Sequence, residues 1–182
     1  MRSQVRLDIR SKKSFGDGMT FGDVGSYKAI EGSVAFAIDP DDPANADIVD
    51  LKLAPRNCDG LVEYSTDLYI LRPTDLNRGN GRLIYDVNNR GNKRILQFFN
   101  DGVHSNRPIT EENAGNGFLM RRGYSVVWSG WQGDVLPIND QLAMRLPIAT
   151  NNGAPITADV RSEFIVEMPE VRHRPLSAAD YA

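Results

Sequence analysis

The sequence predicts an α/β fold with a β-rich N-terminal part and a βαβ-like middle, on the basis of two observations. Several segments of residues 1–72 alternate apolar and polar side chains, as at residues 4–10, and this period of two is typical of half-buried strands. Residues 82–87 and 124–128 are instead short, mostly apolar runs, separated by helix-like segments. Strands buried on both faces of a parallel sheet have this composition, and parallel neighbours need a crossover connection.

The first third of the chain is expected to form a meander or a set of hairpins. Four strands are predicted, at residues 4–10, 27–39, 48–54 and 61–71. The last two are joined through a connection that ends in Asp59-Gly60, a turn signal because glycine accepts a positive φ.

The rest of the chain predicts two helices and a less regular end. The helices are expected at residues 93–100 and 117–122, with a polar loop at residues 101–113. Residues 141–149 and 160–168 are candidate strands, whereas residues 169–182 hold no core-forming stretch. We therefore expect one domain over residues 1–182, divided into a β-rich part (1–72), a strand-helix-strand part (73–134) and a partly irregular extension (135–182).

Composition limits the partners of the protein. With 182 residues and a formal net charge of −3, the sequence carries no basic excess that would favour nucleic acid or an anionic membrane. Its apolar runs are too short to span a bilayer, and its first residues lack the apolar centre of a signal peptide, which favours a cytoplasmic location. Composition indicates no oligomeric state.

No catalytic set is recognisable in the sequence. The nucleophile motif G-x-S-x-G does not occur: Ser125 lies inside a predicted strand, and Ser129 lacks the first glycine. The two histidines, His104 and His173, lie in polar surroundings and are expected to be solvated. With one cysteine, Cys58, and no Cys/His cluster, we expect no disulfide, metal or cofactor.

Three segments carry a resemblance to a known family. They are LIYDVNNRGNK (residues 83–93), GFLMRRGYSVVWSGWQGD (117–134) and the upstream IDP…IVDLKLAPRN (38–57). Together they resemble the N-terminal portion of an uncharacterised family, the alpha/beta hydrolase domain-containing proteins, over about residues 21–166. The resemblance implies a partial α/β-hydrolase-like sheet that belongs to a larger hydrolase domain.

The resemblance also implies an oxyanion loop at Asn89, Arg90 and Gly91, after the strand at residues 82–87. Acyl transfer needs backbone N–H donors aimed at the oxygen that becomes negative, and glycine lets the backbone approach a substrate closely. Arg90 would add a charge-assisted contact or hold a substrate carboxylate. The alternative is an ordinary strand-to-helix turn with an exposed arginine.

A substrate pocket is expected at Trp131, Gln132 and Asp134. These residues follow the predicted strand at residues 124–128, and open α/β sheets bind ligands at the carboxyl ends of their strands. Trp131 would form a wall, Gln132 would bind substrate and Asp134 would hold the loop. The alternative is that the tryptophans only pack.

Two functions follow from these patterns. In the first, the chain is the N-terminal part of a serine hydrolase for small ester-like substrates, with its nucleophile outside residues 1–182, so that the chain alone is inactive. In the second, it is a non-catalytic β-rich module that binds a ligand or a protein through exposed aromatic residues such as Trp128 and Trp131. A complete but catalytically dead scaffold is a third possibility.

Overall fold

The computed structural model describes residues 3–136, 138–159, 161, 163–165 and 170. Eight strands lie within this part: β1 (Gln4–Thr20), β2 (Ser26–Ile38), β3 (Val62–Pro73), β4 (Leu83–Tyr85), β5 (Ser125–Ser129), β6 (Met144–Arg145), β7 (Thr150–Asn151) and β8 (Ala154–Pro155). Three short helices complete it: α1 (Ile95–Asn100), α2 (Glu111–Ala114) and α3 (Phe118–Arg121).

Six of these strands form one mixed sheet. Its order is β1-β2-β3-β5-β4, with β6 paired to β3, while β7 and β8 form a separate two-stranded sheet. The ladders β1–β2, β2–β3, β3–β5 and β3–β6 are antiparallel, and only β4–β5 is parallel. The three helices lie in the connection between the two parallel strands.

The predicted α/β fold class, with its partial α/β-hydrolase-like sheet, is wrong. The sheet is dominated by β1, β2 and β3, which contain 17, 13 and 12 residues, whereas the helices contain six, four and four. The described part is therefore mostly β-sheet, without the alternation of strands and substantial helices that an α/β fold requires. The prediction gave too much weight to two short apolar runs.

Strand β1 is much longer than the predicted segment at residues 4–10. It continues to Thr20 through the polar residues 11–14, because the β2 backbone supplies a ladder of hydrogen-bonding partners. The register shifts between Ile9 and Ser11, opposite Gly32. A Cβ at Gly32 would lie 2.1 Å from the Asp8 carbonyl oxygen, so this close approach of the two strands requires glycine.

Two other predicted strands are wrong or shortened. Residues 48–54 form turns and a 3₁₀ helix at Leu51–Leu53, which follows Asp50 in a left-handed conformation with φ of +57°. Of residues 141–149, only Met144–Arg145 pair in the sheet. Most of residues 160–168, and all of 169–182 except Glu170, lie outside the described residues.

Helix α2 arises inside the predicted polar loop at residues 101–113. Its N-terminus is closed by a capping box, in which the Thr110 side chain accepts from the Asn113 N–H and the Asn113 side chain accepts from the Thr110 N–H. This reciprocal capping stabilises a single turn that has little apolar periodicity of its own.

The core covers one face of the sheet and is closed by the helices. Tyr27 of β2, Tyr69 of β3 and Trp128 of β5 project from this face, and the Tyr69 and Trp128 rings meet edge to face with centroids 5.9 Å apart. Leu96 of α1 and Met120 of α3 pack onto the same cluster. No helix in the described ranges is long and apolar enough to cross a membrane.

Candidate functional site

The loops that follow β4 and β5 lie at the same edge of the sheet. Leu83 pairs with Ser125 and Tyr85 with Val127 in parallel register, so the carboxyl ends of both strands point the same way. This edge is where the sequence predicted both the oxyanion loop and the substrate pocket.

The structure brings these two loops into direct contact through Arg90. Its guanidinium Nη1 lies 2.6 Å from Asp134 Oδ2, and its Nη2 donates to the Asp134 carbonyl oxygen at 3.2 Å. The backbone N–H of Arg90 donates to Gln132 Oε1 at 2.8 Å. The hydrogen bond from Arg90 lowers the pKa of Asp134. Arg90 thus already holds a carboxylate of its own chain.

Gly91 lies against a later segment of the chain. Its φ is +76°, and a Cβ there would lie 2.5 Å from the Leu142 carbonyl oxygen, so the position requires glycine. The Leu142 N–H donates to the Gly91 carbonyl oxygen at 3.1 Å, and Gln141 Nε2 donates to the Arg90 carbonyl oxygen at 3.0 Å. The Gly91 N–H donates to no acceptor among the described residues. Asn89 is exposed and its carbonyl oxygen accepts from the Asn92 N–H.

Trp131 and Asn88 join the two loops at a second point. The Trp131 indole is 48% exposed, and its Nε1 donates to the Asn88 carbonyl oxygen at 2.5 Å. Asn88 is buried and its Nδ2 donates to the Ser129 carbonyl oxygen at 2.6 Å. Its Oδ1 has no hydrogen-bond donor within the described part of the chain. A buried acceptor without a donor is rare in folded proteins and needs an explanation.

Ser129 has no base beside it among the described residues. Its Oγ lies 2.6 Å from the Tyr85 hydroxyl, whereas the neighbouring Trp128 is a core residue whose Nε1 donates to Asp86 Oδ2. No described hydrogen bond joins His104 to either loop, and partial desolvation, then Arg94, lowers the pKa of its imidazole. His173 lies outside the described residues. An unactivated serine hydroxyl is a weak nucleophile.

Comparisons with protein-family models, curated proteins and solved structures find no match for this chain. Among the described residues, no group of three or more His, Cys, Asp or Glu side chains is placed to hold a metal ion.

A second polar site, which the sequence analysis missed, lies around Asp67 of β3. The Asp67 side chain is 11% exposed, and its carboxylate pairs with both terminal nitrogens of Arg145, at 3.0 and 3.2 Å. Arg10 Nη2 lies 3.5 Å from it, and the Ala143 N–H donates to it at 3.2 Å. The group adjoins a cavity of about 170 Å³.

Lys93 lines the same cavity. It is 3% exposed, and its Nζ donates to the carbonyl oxygens of Asn106 and, at 3.1 Å, Asp140. The ammonium also lies 5.0 Å from the centre of the Tyr69 ring, within range of a cation–π interaction. Burial lowers the pKa of Lys93 to about 8.

One sequence signal pointed towards this polar site. Asp67 interrupts the otherwise largely apolar end of the strand predicted at residues 61–71, and a charge in such a run needs a partner inside the fold. Its partners Arg10 and Arg145 lie 57 and 78 positions away along the chain, so only the folded sheet identifies them.

Proposed function

We propose that this chain forms one side of the active site of a serine-type hydrolase that acts on ester or related acyl bonds of small molecules. The loops after β4 and β5 would bind the acyl group. The serine nucleophile would come from outside residues 1–182, because no G-x-S-x-G motif occurs among them and Ser129 has no base beside it in the described part of the chain.

Two unpaired polar groups support this proposal more than any other observation. The Gly91 N–H and Asn88 Oδ1 both belong to buried residues in the loop that follows β4, and neither has a partner in the described ranges. An oxyanion hole needs a free backbone N–H, and a buried acceptor needs a donor from a substrate or from another segment.

The residues around these groups would have distinct roles. The Gly91 N–H would donate to the oxygen that becomes negative during acyl transfer. Gln132 and Asp134 would position that donor, because they hold the backbone and the guanidinium of Arg90. The exposed Trp131 indole would provide an apolar wall for the acyl chain.

A non-catalytic binding module is the second candidate function. The bonds of Arg90 to Gln132 and Asp134 favour it, because they already occupy the polar groups of the two loops, and so does the mostly antiparallel sheet. In that case Trp131 would contact a bound ligand or protein, and no acyl chemistry would occur.

The first experiment is performed on the native gene product, purified from its source cells. Its intact mass is measured, and it is treated with a fluorophosphonate probe and with p-nitrophenyl butyrate. We expect a mass above that of residues 1–182, one labelled serine outside them, and ester hydrolysis that the probe abolishes. A native mass equal to that of residues 1–182, with no labelling and no hydrolysis, would favour the binding module.

A substitution then tests the loop itself. Gln132→Leu in the native protein removes the acceptor of the Arg90 N–H, so we expect kcat to fall by roughly tenfold with little change in KM. Gln97→Leu, at an exposed position of α1, is the matched control and should leave both constants unchanged. Equal effects of the two substitutions would contradict the proposed role of the loop.

A further inference from the structure

The buried ammonium of Lys93 has no anionic partner among the described residues. Although it is only 3% exposed, no carboxylate oxygen in the described part of the chain lies within ion-pair distance of its Nζ. Two carbonyl oxygens and the face of Tyr69 are its contacts. Lysine is almost never fully buried unless it is paired, because moving an unpaired charge out of water is costly.

The ammonium also has donor capacity to spare. It carries three N–H groups, and the carbonyl oxygens of Asn106 and Asp140 use two of them. Lys93 lines the cavity of about 170 Å³, which is several times the roughly 30 Å³ that one water molecule occupies. A small group with an acceptor oxygen therefore fits beside the third N–H.

The other charged side chains around the cavity balance one another, so the charge of Lys93 leaves the lining net positive. Its lining contains four cations and three carboxylates: Arg10, Lys93, Arg107 and Arg145 against Glu31, Asp67 and Asp140. Asp67 is held by Arg10 and Arg145, and Glu31 lies 3.3 Å from Arg107 Nη2. Each guanidinium has five N–H donors, so these arginines keep donors for a further oxyanion.

We propose that this cavity binds a small oxyanion, a carboxylate or a sulfate- or phosphate-like group, as the missing counter-ion of Lys93. The Lys93 ammonium contacts it from the buried end, and Arg107, which is partly exposed, contacts it at the mouth. This site lies next to the Gly91 loop, to which its lining residues Gln141 and Leu142 are hydrogen-bonded, but anion binding there does not depend on the proposed hydrolase activity.

Binding at this site is coupled to protonation of Lys93. Burial is the largest influence on the pKa of Lys93 and lowers it to about 8 when no anion is bound. The nearby charges of Asp140, Glu31, Asp67 and Arg107 have smaller effects. A bound anion favours the charged form and raises that pKa. Binding near pH 8 therefore takes up a proton, and affinity falls as the pH rises through that value.

The test is isothermal titration calorimetry of the full chain with sodium sulfate and, separately, sodium acetate, with chloride keeping the ionic strength constant. We expect one-site binding at about pH 6.5, and roughly 30-fold weaker binding at about pH 9.5, since neither probe changes charge over this range. Tighter binding of sulfate would indicate a tetrahedral natural ligand group, and tighter binding of acetate would indicate a planar carboxylate. Failure of both probes to bind, or equal affinity at both pH values, would overturn the proposal.

Variants locate the binding. Arg107→Gln is expected to lower the affinity for the tighter-binding anion at least fivefold, because it removes a charged donor. The variant should still fold, because Arg107 is partly exposed. Arg82→Gln, at an exposed arginine outside the cavity, is the control and should bind like the parent. Lys93→Met should abolish binding, with near-UV circular dichroism to verify folding. Unchanged binding by Arg107→Gln would contradict the site. Neither binding result decides the hydrolase proposal, which is tested separately by ester hydrolysis of the native protein.

Discussion

Gly91 and Gly60 adopt nearly the same backbone conformation, with φ of +76° and +77°, but they differ in their surroundings. A Cβ at Gly91 would lie 2.5 Å from a backbone oxygen of Leu142, whereas a Cβ at Gly60 would meet nothing within 4 Å. The sequence predicted close backbone approach at Gly91, but to a substrate. In the folded chain, Leu142 makes that approach.

This pair of glycines allows a matched test. Gly60→Ala should lower the free energy of unfolding by about 1 kcal/mol, because alanine is strained at positive φ. Gly91→Ala adds a clash with rigid backbone and should cost about 3 kcal/mol or more. Urea unfolding of both variants and the parent measures the difference, and equal costs would show that the Leu142 segment moves freely.

Between elements, Tyr27 connects β2 to the end of α3. Its buried hydroxyl lies 3.1 Å from the Met120 carbonyl oxygen and 3.0 Å from that of Tyr124. Tyr64, on β3, stacks on Phe36 with centroids 4.8 Å apart, and its hydroxyl has no hydrogen bond within the described residues. Of these two tyrosines, Tyr27 alone uses its hydroxyl to hold a helix against the sheet.

Removal of each hydroxyl separates packing from hydrogen bonding. Tyr27→Phe removes the donor of the Tyr124 carbonyl oxygen, whereas the Met120 carbonyl oxygen keeps the Gly123 N–H. The substitution should cost about 1–2 kcal/mol of unfolding free energy. Tyr64→Phe keeps the stacked ring and should change stability by less than about 0.5 kcal/mol. Thermal or urea unfolding compares them, and an equal loss in both variants would show that the Tyr27 hydrogen bond contributes nothing.

At the scale of the whole molecule, the sheet of the described residues ends at an apolar edge that none of their strands pairs. β4 is the last strand in the sheet order, and its Leu83 and Tyr85 side chains are exposed, as are Val87 after it and Phe98 of α1. An unpaired strand edge beside apolar side chains tends to pair with other chains.

We therefore expect the chain to self-associate through this edge. Leu83→Lys should lower the light scattering of concentrated solutions, because charge on an edge strand opposes pairing. Leu76→Lys places the same charge at an equally exposed leucine, 61% against 60%, outside the strands, and should have less effect. A similar reduction by both would indicate a general effect of net charge.

Stability should also respond to pH through three buried groups. Burial lowers the pKa of Lys93 to about 8 from 10.5, so the unfolded chain binds more protons between these values and stability rises with pH there. Burial raises the pKa of Tyr27 and of Tyr69, so ionisation of these tyrosines in the unfolded chain opposes that rise above about pH 10.

The expected result is a maximum of the unfolding free energy near pH 10, measured by urea denaturation with chloride as the added anion. The Lys93 contribution should be about 3.5 kcal/mol at most, since one pKa unit corresponds to about 1.4 kcal/mol. Lys93→Met should lose the rise between about pH 8 and pH 10 and keep the fall at higher pH. A rise of the same size in this variant would assign it to other groups.

The sequence by itself determined the local features of this protein. It indicated the strands at residues 27–39 and 61–71, whose apolar pattern agrees with their burial, and the glycine turns that end β4 and β5. It also placed Arg90 and Asp134 in the two loops that meet. These features depend on side-chain alternation and turn chemistry, which neighbouring residues fix.

Only the tertiary structure decided the fold class and the second site. The polar residues 11–14 extend β1 because β2 provides their hydrogen bonds, and the pairing of β1, β2, β3 and β5 makes the sheet mostly antiparallel. The Asp67 cluster and the cavity at Lys93 join residues from separate strands and loops. Such contacts depend on which strands become neighbours, and no local pattern in the sequence encodes that arrangement.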